Sequence, residues 1–120
     1  MSSQIVVMVF EVVGNGICVS SDDGQKVHDQ IAAALREKKK IKVSFLNVES
    51  LTSAFLNAAI GQLYGKFSEE TIRESLAVAE MEQEDLALLK RVVETAKEYF
   101  SDPERFKKAR EDALEEKDAD

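Results

Sequence analysis

Cysteine occurs once, at Cys18, and histidine once, at His28. A single thiol excludes a disulfide within the chain. A lone imidazole with no second His or Cys nearby does not supply the three or four converging ligands of a zinc site. Cations are scarce as well: 16 Lys and Arg stand against 23 Asp and Glu, a formal net charge of −7. Nucleic-acid binding needs clustered Lys and Arg against phosphates, so this balance argues against it. The one basic run, Lys38-Lys39-Lys40, falls at the end of a predicted helix, where cations complement the helix dipole. Long hydrophobic runs are missing too: none approaches the roughly 20 residues that span a bilayer, and no charged-then-apolar leader precedes the first predicted strand. The expectation is a cytosolic protein, without membrane, nucleic acid, metal or cofactor, acting on proteins or small molecules.

What is present suffices for one domain. With 120 residues, 44% of them apolar, the chain can bury a core without metals or disulfides. Residues 4–13, QIVVMVFEVV, are almost continuously apolar and β-branched, predicting a strand buried on both faces. Gly14-Asn15-Gly16 and the short run ICVS then predict a hairpin, because Gly and Asn accept the positive φ of tight turns. The same glycines lack the Lys-Ser/Thr of a P-loop and the third Gly of a dinucleotide fingerprint. Ser20-Ser21-Asp22-Asp23 supplies a cap and early carboxylates for a helix whose stripe is Val27, Ile31, Ala34 and Leu35.

Residues 41–48 alternate as a strand, 54–64 predict a helix apolar nearly all round, and Gly65 predicts its left-handed end. A short helix over 68–75, a strand over 76–81 and a helix over 82–100 follow, the last carrying Leu86, Leu89, Val93, Ala96 and Phe100 on one face. That face is core or a dimer seam, and the oligomeric state stays open. Ser101-Asp102-Pro103-Glu104 signals a further, charged helix or tail over 101–120, outside a domain of residues 1–100. The fold expected is α/β: a single compact domain with a mixed four-stranded sheet, packed helices and a peripheral C-terminal helix. The unit over 41–81 is expected to be a right-handed parallel crossover.

The stretch NVESLTSAFLNAAIGQLYG, residues 47–65, poses the functional question. Thr52 and Ser53 sit where hydroxyls cap helices, and a cap contributes about 1 kcal/mol. The same place, with unpaired N–H groups, also suits a phosphate. The residues alone leave both readings open. Catalysis asks for a nucleophile with a base and an orienting group, or a metal cluster, and no such constellation is present. Glu69-Glu70 and Glu115-Glu116 are adjacent on helices and point to different faces.

The strand IKVSFLNV, then ESLTSAFLNAAIGQLYG and DLALLKRVVETAKEYF, resembles a bacterial STAS-like family of unknown function, related to the STAS domains of anti-sigma factor antagonists. The resemblance spans about residues 16–100. It implies a non-enzymatic regulatory module that switches partners: a kinase-type ATPase, itself an anti-sigma factor, binds the unmodified antagonist and phosphorylates a Ser at a helix start. Carried over, Ser53 falls at that Ser and Thr52 at the Asp before it. Asn47, Glu49, Ser50, Thr52 and Ser53 become the expected partner-binding residues. This chain departs from the pattern in having Thr52 in place of an acid, Ser44 where many relatives have Asp, and Phe55 in place of Gly. An aromatic at 55 suits a core anchor. Small-ligand sensing, of nucleotide type, is the alternative that some STAS domains suggest.

Overall fold

Strand β1, Gln4–Met8, lies parallel to β3, Lys40–Ser44, with Gln4 opposite Lys40 and Met8 opposite Ser44. The computed structural model describes residues 4–101. The apolar run expected to be one strand over 4–13 therefore divides. Past Met8 its neighbour leaves it: β3 ends at Ser44, short of the residue 48 that the alternation suggested, and the chain turns there, so the backbone groups after Met8 need partners elsewhere. Helix α1, Val9–Val13, provides them, and Gly14 ends it at φ 97°, its N–H donating to the Phe10 carbonyl at 2.8 Å.

The Gly14-Asn15-Gly16 turn thus leads out of a helix and makes no hairpin. β2, Ile17–Cys18, pairs instead with β4, Ser50–Leu51, in parallel. β5, Leu76–Ala79, pairs in parallel with the other side of β3. The expected mixed four-stranded sheet is in fact two small parallel sheets, one of three strands in the order β1-β3-β5 and one of the pair β2-β4. β3 occupies the centre of the larger sheet, and Ile41 and Val43 on it are fully buried.

Helix α2, Ser21–Arg36, buries its predicted stripe of Val27, Ile31, Ala34 and Leu35, and Gly24, His28 and Ala32 with it. It packs chiefly on α3, Ser53–Ala59. α3 is shorter and less enclosed than the sequence suggests. Ser53, Ala54 and Asn57 are exposed, while Phe55, Leu56 and Ala59 are buried, and Phe55 is the core anchor that its size suggested. The regular helix stops at Ile60 and a 3-10 helix, Gly61–Gly65, takes over. Asn57's side chain occupies the place a Cβ on residue 61 would need. Gly65 is not left-handed, as Gly14 is the one glycine with positive φ among the described residues. Its lack of a side chain admits Phe100, whose ring would stand 2.6 Å from a Cβ there.

Helix α4, Glu69–Ser75, starts from Ser68, whose hydroxyl accepts from the Thr71 N–H. Helix α5, Gln83–Ser101, buries Leu89, Val92 and Ala96 against α3 and the 3-10 segment, whereas Leu86, expected on that face, is 44% exposed. The further charged helix expected after Ser101 lies outside the described residues.

Candidate functional site

Between β3 and α3 the chain makes one hooked loop. Ser44, nearly buried, accepts the Leu46 N–H on its hydroxyl at 3.3 Å, and the Val48 N–H closes a turn onto the Phe45 carbonyl. Asn47 takes the left-handed conformation, φ 67°, which Asn tolerates better than most side chains. The N–H groups of Glu49 and Ser50 both donate to the Gly16 carbonyl, at 2.8 and 3.1 Å. Gly16 must be bare for this approach, since a Cβ would meet the Asn47 carbonyl oxygen at 2.6 Å. The loop is fixed in place by backbone bonds.

Thr52 completes the hook. Its hydroxyl donates to the Val19 carbonyl at 2.7 Å and accepts from the Phe55 N–H at 3.2 Å, so it caps α3 and ties it to the end of β2. Of the five expected partner-binding residues, Asn47, Glu49, Ser50 and Ser53 are exposed on this loop and the helix start, and Thr52 is half-buried with its hydroxyl committed. The cap is Thr52 and not Ser53, which leaves the Ser53 hydroxyl outward at the first turn of α3.

Two features around the loop carry no local sequence signal. On β2 the fully buried Cys18 separates Ile17 and Val19, which are 47% and 40% exposed, and Leu46 just before the loop is 45% exposed. Period-2 alternation on a run this short is visible only once β2 is paired with β4. The second is a groove of about 540 Å³ between α3 and α5, lined by Ser53, Ala54, Asn57, Leu88, Arg91, Val92 and Thr95.

The titratable groups underneath are structural. Burial, helped by the Asp23 carboxylate, pushes the Cys18 thiol up to about 11, so its thiolate is scarce at neutral pH and it is inert as a nucleophile. His28 is buried and accepts from the Lys66 ammonium on Nε2 at 2.9 Å, which leaves the ring proton on Nδ1 with only a loose partner in the Ala59 carbonyl. Burial first and the Lys66 charge second hold its pKa below the usual histidine value. Among the described residues no three His, Cys, Asp or Glu side chains gather in a way that could hold a metal ion, and no helix is long and apolar enough to cross a membrane.

The model of the STAS-like domain of unknown function (DUF4325) matches residues 23–86, from the first turn of α2 into α5 and across the whole loop. The chain belongs to this family. No curated protein and no solved structure matches it.

Proposed function

We propose that the chain is a non-enzymatic regulatory module that docks on a protein partner through the surface around residues 47–53. The partner is a kinase-type ATPase or an anti-sigma factor, as for the antagonists that the family resembles, and phosphorylation of Ser53 is the switch. In that step the Ser53 Oγ bonds to the γ-phosphorus of a nucleoside triphosphate held by the partner. The bond to the β-phosphate breaks, a base on the partner takes the hydroxyl proton, and the nucleoside diphosphate leaves.

One observation carries the reading: Ile17, Val19 and Leu46 leave large apolar side chains exposed beside a rigid polar loop. Large apolar side chains left exposed next to a polar loop are a feature of protein interaction surfaces. The rigidity matters as much, because a preorganised loop loses little entropy on binding. Partner capture tests the reading. Tagged Ile17→Asp and Leu46→Asp chains, folded by circular dichroism, are expected to lose an ATPase that wild type retains, while Leu86→Asp on α5 keeps it. Identical capture by all four chains would remove this surface from consideration.

The groove between α3 and α5 favours a second reading, small-ligand sensing, since its volume falls in the range of small-molecule sites. A nucleotide panel that raises the melting temperature of wild type but not of Arg91→Ala supports it, and an unmoved panel removes it.

A further inference from the structure

The groove between α3 and α5 presents a guanidinium that no acid among the described residues engages. The ion pairs among the described residues are Lys26–Asp23, Lys39–Glu37 and Lys97–Glu69, and Arg91 belongs to none of them. Most cations among the described residues are likewise outside these pairs, and what sets the exposed Arg91 apart is its place, since it lines the same groove as Ser53. The groove's walls are regular. Ser53 and Asn57 stand one turn apart on α3, and Leu88, Arg91, Val92 and Thr95 follow the three- and four-residue steps of a single face of α5. Its base is close-packed, with Val92 Cγ1 at 3.5 Å from the Cβ position of Gly61, and Asn57's amide is folded over that same glycine. The polar ends in the groove are therefore two hydroxyls, one amide and one guanidinium, above a floor of Ala54, Leu88 and Val92.

We propose that a phosphate on Ser53 is captured within the chain by Arg91, with Asn57 and Thr95 as neutral donors, so that modification closes the groove as well as charging the loop. This rests on the reading of Ser53 as a phosphoryl acceptor, formed by the transfer from a nucleoside triphosphate written above. Arg suits the role because its planar fork gives two parallel hydrogen bonds to phosphate oxygens. A phosphoryl group adds about −1.5 to −2 units of charge, which more than neutralises the single cation, and it covers the apolar floor. The unmodified and modified proteins then differ in shape as well as in charge. A partner whose side chain enters the open groove is excluded by the closed one.

The test uses the full chain with phosphoserine incorporated genetically at position 53, followed by phosphorus NMR across pH. In the wild-type background the second phosphate ionisation is expected at least about half a pH unit below that of the Arg91→Ala phosphoprotein. Arg91→Gln, which keeps much of the side chain's length, should behave like Arg91→Ala and also covers a failure of the alanine variant to fold. Arg36→Ala, at the far end of α2, should titrate like wild type. Superimposable titrations with and without Arg91 would overturn the latch. The titration needs no partner, so that result leaves the docking reading untouched, while capture that ignores Ser53→Asp would sink the docking reading and leave the titration standing.

Discussion

Two helices begin side by side in this molecule, and they begin differently. α2 and α3 each follow a strand of the β2–β4 pair, and each is capped by a hydroxyl: Ser20 accepts the Asp23 N–H at 3.1 Å, and Thr52 accepts the Phe55 N–H. From there the two starts diverge position by position. α2 continues Ser21, Asp22, Asp23, with two carboxylates at the positive end of its dipole and Asp23 paired to Lys26 at 3.2 Å. α3 continues Ser53, Ala54, Phe55, with no acid in its first turn and its third residue sunk in the core. One start is electrostatically complete on its own. The other has its packing settled, its cap committed to Val19, and a hydroxyl lining a groove that Arg91 also lines. Local stability and openness to a visitor have been assigned to different helices, which is why the second start is the place to look for regulation.

The largest effect that separates them sits at the third position. Phe55→Ala should cost about 3–5 kcal/mol in chemical denaturation, because it empties a fully buried ring site, whereas Asp23→Ala should stay within about 0.5 kcal/mol. Comparable losses would mean that α3's start is no better anchored than α2's. Next comes the contact between the two. A Cβ on Gly24 would stand 2.5 Å from the Phe55 carbonyl oxygen and 2.9 Å from Ala58 Cβ, so Gly24→Ala should cost about 1–3 kcal/mol by prising α2 from α3. A neutral Gly24→Ala would show that the helices approach less closely than described.

Smaller still is the difference between the caps. Ser20→Ala should lose about 1 kcal/mol and Thr52→Ala somewhat more, up to about 2 kcal/mol, because only Thr52 also holds the Val19 carbonyl. Thr52→Ser should restore most of that loss. Equal losses for the two alanine variants would remove the tie between α3 and β2 from the account.

The smallest effect is that of pH. His28's pKa is lowered in the folded chain, so as pH falls the unfolded state takes up the proton first. Stability should be fully present above about pH 6.5 and decline below it toward the depressed folded value, and His28→Gln should flatten that decline in pH-dependent melts.

How much of this was legible in the sequence follows from where each feature gets its information. β3, α2 and α5 carry their own periodicity, and the Ser20–Asp23 cluster marks α2 by local capping chemistry, so these elements read correctly in kind, although β3 ends at Ser44 where the alternation suggested residue 48. Where β1 stops depends on how many residues β3 offers it, which residues 4–13 do not contain. The glycines at 14 and 16 suggested a hairpin, while their purposes are to end α1 and to admit the Asn47 carbonyl from a distant loop. α3 looked longer and more enclosed than it is because Asn57 and Gly61 interrupt it by mutual packing. At the site, the exposed residues of the loop and Ser53 could be named from a capping pattern and a family resemblance. Arg91 could not, because on α5 it is an ordinary member of a charged face until packing sets that face across from Ser53.

The comparison of the two helix starts yields the most direct test: capture of the partner by the Ser53→Asp and Ser21→Asp chains alongside wild type. The account predicts that Ser21→Asp, adding charge to a start already acidic, retains the wild-type ATPase, while Ser53→Asp releases it. Retention by both, or release by both, would contradict it.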